Sequence, residues 1–230
     1  MRKLLFCLLL YVAGQFVNAQ TKTYVGVKGG GNFSSAYFER TIGNALISTD
    51  YITSYHGGVI FRHFSKQKKS SFLNAGLQSG VNMVNKGWKQ VFPTEEPSYA
   101  TRLTYLEFPV EAFVYFGHRK MKPFFTLGFY MEHLIAIDKD PDPDLENIGQ
   151  ADFYPYDESR DRTFGYGVRV GLGIQRDFGF GTVQLDGFAS FSFRDILEYG
   201  SFDTEIPDLT NTYVLGVSAA YLISFGKLDF

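Results

Sequence analysis

The stretch from Thr104 to Phe116, TYLEFPVEAFVYF, alternates between two kinds of side chain at every step. The first set is entirely apolar and comprises Leu106, Phe108, Val110, Ala112, Val114 and Phe116. The second set contains two carboxylates and two phenols and comprises Tyr105, Glu107, Pro109, Glu111, Phe113 and Tyr115. A period of two is the repeat of a β-strand, whereas an amphipathic helix repeats about every 3.6 residues. The stretch therefore predicts one long strand whose two faces meet different environments.

Seven further segments alternate in the same way, which gives eight predicted strands in all. In chain order the other seven cover residues 24–33, 55–62, 73–83, 125–132, 164–175, 182–194 and 213–225. The connections are alternately long and short, as in a meander with tight turns at one end. We therefore predict an all-β fold, an eight-stranded antiparallel up-and-down β-barrel. Pro109 cannot donate a ladder hydrogen bond, so we expect a bulge or a lumen side chain beside it.

The composition of the polar faces separates a membrane barrel from a soluble one. A soluble lipocalin-type barrel would turn its apolar faces inward and cover its outside with Lys and Glu, but these polar faces carry Gly, Asn, Gln, Thr and Ser. Their few charges balance, and we expect them to pair inside the lumen, since an unpaired buried charge is costly. The predicted lumen charge network comprises Lys28, Arg62, Glu107, Glu111, Glu132, Arg169, Asp186 and Arg194. The apolar faces would then contact lipid, which predicts a transmembrane barrel; a soluble barrel with an apolar cavity is the alternative.

Aromatic residues near the predicted strand ends also favour a membrane barrel, because such barrels carry aromatic girdles at both interfaces. The girdle expected toward the long connections comprises Tyr55, Trp88, Tyr166, Phe193 and Tyr213. The girdle expected toward the tight turns comprises Phe61, Phe116, Phe125 and Phe225.

Residues 1–19 predict a secretory signal peptide, because a basic start and an apolar run precede a small-residue site at Val17-Asn18-Ala19. The barrel domain would then span residues 20–230. The only cysteine, Cys7, interrupts the leader's apolar run, so we expect neither lipidation nor disulfides in the mature chain. With 22 basic and 24 acidic residues, the chain has no basic excess for binding nucleic acid. Export and outward apolar faces together predict localisation in the cell outer membrane, with outer-membrane lipid as a partner.

Four segments carry a family resemblance: Val25–Ser34 (VGVKGGGNFS), His56–Val59 (HGGV), Tyr105–Pro109 (YLEFP) and the glycine-rich run Gly165–Gly173. With these segments the chain resembles the PorT-like outer-membrane β-barrel family of Bacteroidetes over essentially the whole mature chain. The resemblance implies an integral outer-membrane barrel and a link to type IX protein secretion, in which the family's namesake takes part. The terminal barrel-assembly signal would end at Phe225 or at Phe230.

No arrangement of residues predicts a catalytic site, a metal site or a cofactor. Glu107 and Glu111 would lie about 13 Å apart along one strand, which is too far for a paired acid and base. The four histidines lack metal-ligand spacing, and Gly29-Gly30-Gly31 is followed by no helix that could bind phosphate. The acidic segment 138–161 begins like a calcium loop but has Pro143 and Gly149 where that loop needs Gly and Glu. Whether this segment binds cations stays open.

Three functions remain open at this point. The first is a non-enzymatic interaction or scaffold protein with a side-chain-filled lumen, acting through its loops or periplasmic turns. The basic turns at residues 66–69 and 119–122 could then dock an acidic periplasmic or secretion-machinery protein. The alternatives are a small channel or ligand-binding barrel and, less in keeping with the residues, an enzyme that modifies envelope lipids.

Overall fold

The computed structural model describes residues 22–39, 48–65, 72–91, 99–117, 119–140, 162–196 and 209–225. The predicted signal peptide with Cys7 lies outside the described residues, and so do the basic turn at 66–69, most of the acidic segment and the C-terminal Phe230.

The described chain is built from β-strands. They are β1 (Lys22–Glu39), β2 (Thr49–Asp50), β3 (Ile52–Phe64), β4 (Leu73–Gln90), β5 (Tyr99–Phe116), β6 (Met121–Asp140), β7 (Phe164–Phe178), β8 (Gly181–Ser192) and β9 (Leu209–Phe225). No helix in the described part of the chain is long and apolar enough to cross a membrane.

The strands form one closed antiparallel sheet. Every long strand pairs with its neighbours in the chain, β1 pairs with β9, and the β4–β5 ladder completes the ring. The two-residue strand β2 pairs only with the end of β4, at Gln90 and Lys89. The remaining eight strands make an up-and-down barrel, so the predicted fold is confirmed. Closure leaves the wall without an open edge, which is the condition for a sheet that contacts lipid.

The two faces of each strand separate into lumen and exterior. On β5, Glu107 is 2% exposed and Phe113 is fully buried, whereas Phe108 is 38% and Val110 48% exposed. The other predicted strands follow the same alternation, so the polar faces line the lumen and the apolar faces form the outside.

The strands reach further toward the long connections than predicted. β4 continues to Gln90 and β6 to Asp140, both at the expense of segments expected to be loops. A transmembrane strand needs only about 9–11 residues, so the 18 residues of β5 extend well beyond a bilayer. The hydrophobic alternation fades there because the outer face meets water instead of lipid, while the inner face carries buried apolar side chains such as Trp88 and Leu103. The extension corrects the position of Trp88, which is 1% exposed inside the barrel and does not belong to a girdle.

Pro109 interrupts a ladder without causing a bulge. The β4–β5 pairing breaks between Ser79↔Val110 and Asn82↔Glu107, and the register is the same on both sides of the gap. The register shift of β5 lies instead at Thr104/Tyr105, on the β6 side. Of the two expected outcomes, a bulge beside Pro109 is therefore wrong, since a missing N–H removes a hydrogen bond but adds no residue; a lumen side chain beside Pro109 stays a prediction.

Neighbouring glycines on β1 have different roles. A Cβ added at Gly30, which faces inward, would lie 1.9 Å from the Val217 carbonyl oxygen, whereas one added at the outward Gly29 would come no closer than 3.6 Å to the His56 carbonyl oxygen. The close approach of β9 to β1 therefore requires glycine at position 30 but not at position 29.

We predict that Gly30→Ala destabilises the barrel by about 1–3 kcal/mol or more, because the added methyl group forces the two backbones apart. Gly29→Ala is the matched control and should change the free energy of unfolding by less than about 1 kcal/mol. Urea unfolding in lipid vesicles measures both values. Equal losses in the two variants would contradict the assignment of the close approach to Gly30.

Candidate functional site

The centre of the lumen holds a layer of balanced charge. Within the described residues, four cations face four carboxylates there: Lys28, Arg62, Lys86 and Arg169 with Glu107, Glu111, Glu132 and Asp186. We call this set the lumen charge layer. Burying so many charges is tolerable only when each one is paired or hydrogen-bonded.

Among the described residues, three ion pairs of the charge layer bridge strands on the inside of the wall. The Lys28 ammonium lies 2.8 Å from Asp186. The Lys86 ammonium lies 2.6 Å from Glu132. The Arg169 guanidinium lies 2.5 Å from Glu107. The partners sit on β1 and β8, β4 and β6, and β5 and β7, so each pair spans one intervening strand and ties the wall together from inside.

Arg62 is buried, and within the described ranges side-chain amides bind it in place of a direct carboxylate partner. Its guanidinium donates to the amide oxygens of Gln78 at 2.7 Å and Gln175 at 2.8 Å, and also to that of Gln184. The amide nitrogens of Gln78 and Gln184 in turn donate to Glu111 at 2.8 Å and to Asp186 at 2.9 Å. The amides thus connect the buried cation to two carboxylates.

An apolar cluster fills the lumen at the tight-turn end, next to the charge layer. The tight-turn cluster comprises Tyr24, Ile60, Phe64, Phe113, Tyr115, Phe124, Ala220 and Leu222. Phe113 stacks on Phe124 with ring centroids 4.8 Å apart, and the Arg62 guanidinium carbon lies 3.5 Å from the centroid of the Phe113 ring. This contact joins the cluster to the charge layer by a cation–π interaction.

A second apolar cluster fills the opposite end. The loop-end cluster comprises Ala36, Phe38, Trp88, Leu103, Tyr105, Leu134 and Ile196. Ile196 lies beyond β8, and its backbone closes the wall there: Arg162 donates to its carbonyl at 3.0 Å and its amide donates to Thr210 at 2.9 Å. The charge layer is therefore enclosed between two apolar clusters.

A family model described as "Outer membrane protein beta-barrel domain" matches residues 18–198. The chain belongs to this outer-membrane β-barrel family. Its apolar outer face is therefore the lipid-facing surface of a protein of the outer membrane. No curated protein matches the chain.

The chain is similar to solved structures of outer-membrane proteins at low sequence identity, and OprG is the one of the three below whose similarity shows the fold. OprG from Pseudomonas aeruginosa has a TM-score of 0.52 at 10% identity, over 89% of this chain and 97% of OprG. AlkL has a TM-score of 0.46 at 12% identity, over 92% and 93% of the two chains. Ail from Yersinia pestis has a TM-score of 0.39 at 11% identity, over 87% and 98%.

The structure places seven of the eight residues predicted for the lumen network in the charge layer. Arg194 is the exception: β8 ends at Ser192, and the Arg194 guanidinium lies over the Phe164 ring at 5.8 Å. Lys86 supplies the fourth cation and was missed because the third predicted strand stopped too early. Continuing its alternation from Gln78 and Asn82 would have placed Lys86 in the lumen.

Two further expectations concern the carboxylates and histidines. Glu107 and Glu111 have different partners, and Glu132 faces inward while His133 faces outward. His56 lies between the Ser218 hydroxyl and the Asn32 amide oxygen, at 2.9 and 3.3 Å. No three His, Cys, Asp or Glu side chains of the described ranges are grouped as metal ligands would be.

The tight-turn mouth carries a separate cluster. The Lys122 ammonium lies 2.5 Å from Asp177, and the Thr182 hydroxyl donates to the same carboxylate at 2.8 Å. Arg119 and Lys120 are exposed beside this cluster.

We predict that Arg169→Met destabilises the barrel by about 3–5 kcal/mol, because it leaves the Glu107 carboxylate buried without its cation. Adding Glu107→Gln to this variant should recover most of the lost stability, since burying a neutral amide costs less than burying an unpaired carboxylate. The control, Arg102→Met, breaks an exposed pair with Asp138 at 3.9 Å and should cost at most about 1 kcal/mol. Urea unfolding in vesicles gives all three values, and a loss at Arg169 no larger than at Arg102 would refute the role of the pair.

Proposed function

We propose that this protein is a non-enzymatic interaction or scaffold protein of the outer membrane. The observation that carries the proposal is the filled lumen: the charge layer lies between the tight-turn and loop-end clusters, and their side chains are buried. A barrel filled in this way offers its two rims and its outer wall to other molecules. The rims are therefore where we place the function.

We further propose that the chain is exported by a signal peptide at residues 1–19 and is a PorT-like protein of Bacteroidetes linked to type IX secretion. The YLEFP segment, the most specific part of the resemblance, has structural roles here: Glu107 pairs with Arg169 and Pro109 lies at the ladder gap. Residues that hold a barrel together can be shared by proteins with different partners. The secretion link thus rests on the resemblance alone.

The tight-turn rim is the surface that we assign to a partner. Arg119 and Lys120 are exposed there, whereas Lys122 is engaged by Asp177. Exposed cations attract an acidic surface and increase the rate of encounter with it. We propose that this rim faces the periplasm and contacts an acidic partner of the secretion machinery.

The structure gives less support to the two alternatives. A channel or ligand-binding barrel needs open lumen, but aromatic rings occupy both ends of this one. An enzyme acting on envelope lipids needs polar groups that its substrate can reach, but the carboxylates of the charge layer are buried and engaged. We therefore keep the interaction protein as the proposal.

We predict that deleting the protein in its native host reduces export of type IX cargo, and that a copy carrying Arg119→Glu and Lys120→Glu fails to restore it. Charge reversal turns attraction to an acidic partner into repulsion. The matched control reverses two lysines near the other rim, Lys89→Glu and Lys139→Glu, and should restore export. Cargo export is measured by quantitative proteomics of the culture medium, and unchanged export in the deletion strain would contradict the secretion role.

We also predict that the purified barrel shows no steady ion conductance in planar bilayers, because an apolar cluster fills each end of the described lumen. The protein is run on an SDS gel before and after boiling, and slower migration of the boiled sample verifies that the unboiled protein is folded. Reproducible conductance steps from folded protein would favour the channel alternative.

A further inference from the structure

The lipid-facing surface contains a furrow across β1, β9, β8 and β7. Two apolar depressions form it, with volumes of about 540 and 670 Å³. The two depressions share Gly31, Leu172, Gly187 and Val217, so they are parts of one furrow on either side of the Val217 side chain. The lipid-facing wall around the furrow carries large exposed side chains. The furrow is therefore a local recess in that wall.

The register of the strands explains the recess. Gly31 pairs with Val217, Val217 with Gly187, and Leu172 with Gly187, so these residues form one row across the four strands. In the next row, Gly29 lies beside Gly57 on one side and Ala219 on the other. Small residues form the floor, and Leu172, Ile174 and Leu185 form a wall along one side.

The packing of the barrel itself does not require glycine on this floor. A Cβ added at Gly29, Gly31, Gly57 or Gly187 would meet its nearest atom at 3.6–3.8 Å, which is ordinary contact. At the inward Gly30 and Gly58, by contrast, a Cβ would lie 1.9 and 2.2 Å from a backbone oxygen. Glycine within a strand weakens it, because glycine has the most backbone freedom to lose and no side chain to pack. The outward glycines therefore lower stability at positions where a larger residue would fit.

We propose that the furrow is a binding site for one acyl chain of an outer-leaflet lipid. The surface around the furrow is the barrel–lipid interface, so acyl chains are the molecules that reach it. The recess lets a chain lie closer to the backbone and contact the floor and the wall together. Such contact exceeds what a chain gains against a convex wall of side chains.

The outer leaflet follows from the position of the larger depression. That depression ends at Phe33, Thr53 and Leu215, toward the long connections. On β9 the next outward residue is Tyr213, which stacks edge-to-face on Tyr51 with ring centroids 5.6 Å apart. Aromatic rings mark the interface of a membrane barrel, and the long connections lie at this end. A chain entering beside these rings would belong to a lipid whose headgroup lies in the outer leaflet.

The proposal is tested by native mass spectrometry of the full chain extracted from its own outer membrane in mild detergent. The wild-type protein should retain one multiply acylated lipid with the mass of the outer-leaflet lipid A. Gly31→Leu and Gly187→Leu fill the floor from two different strands and should each lower the retained fraction about tenfold, as the loss of a few methylene contacts would. Ala112→Leu on β5, also outward and exposed, adds similar bulk away from the furrow and should leave retention unchanged.

Heat-dependent gel mobility establishes that every variant is folded. Retention that survives both glycine substitutions, or that falls equally in Ala112→Leu, would overturn the site. A bound phospholipid in place of lipid A would overturn the assignment to the outer leaflet. A wild-type dimer that Gly31→Leu dissociates would show that a second copy of the chain occupies the furrow.

Discussion

The ladder between β4 and β5 is the interaction on which the rest of the structure depends. It joins the two ends of the sheet, so that the wall has no open edge among the long strands. A backbone polar group left unpaired in lipid costs several kcal/mol. The closed ring therefore makes the apolar exterior possible. The same ladder contains the gap at Pro109, so the wall accepts one local break while the register on either side of it is preserved.

Closure also determines how the interior must be filled. An eight-stranded barrel is narrow enough for side chains to fill its lumen, and here they do so in three layers. The charge layer lies between two apolar clusters, and each of its ion pairs spans one intervening strand. The apolar clusters exclude water, and the charges can remain inside because they are mutually paired. The filled lumen is also why we place the protein's interactions at its rims and on its outer wall.

The glycines show how one residue type has opposite roles on the two faces. Toward the lumen, Gly30 and Gly58 permit backbone approaches that no side chain would allow. Toward the lipid, Gly31 and Gly187 have room for a side chain and leave a recess instead. The first role belongs to folding. The second has its physical effect only when another molecule lies against the wall.

The alternation of side chains was sufficient to predict the eight barrel strands and their two faces, because a period of two is a local property of the chain. The alternating connection lengths then predicted the up-and-down order, and the composition of the polar faces predicted the membrane location. Strand ends were not predictable in the same way, since Trp88 and Lys86 lie where the wall leaves the lipid and the hydrophobic contrast fades. Only the tertiary structure decided that Lys86 and not Arg194 neutralises the layer, and that Gly31 and Gly187 share one row. Ion pairs and grooves depend on the register between strands distant in sequence, and that register exists only once the barrel has closed.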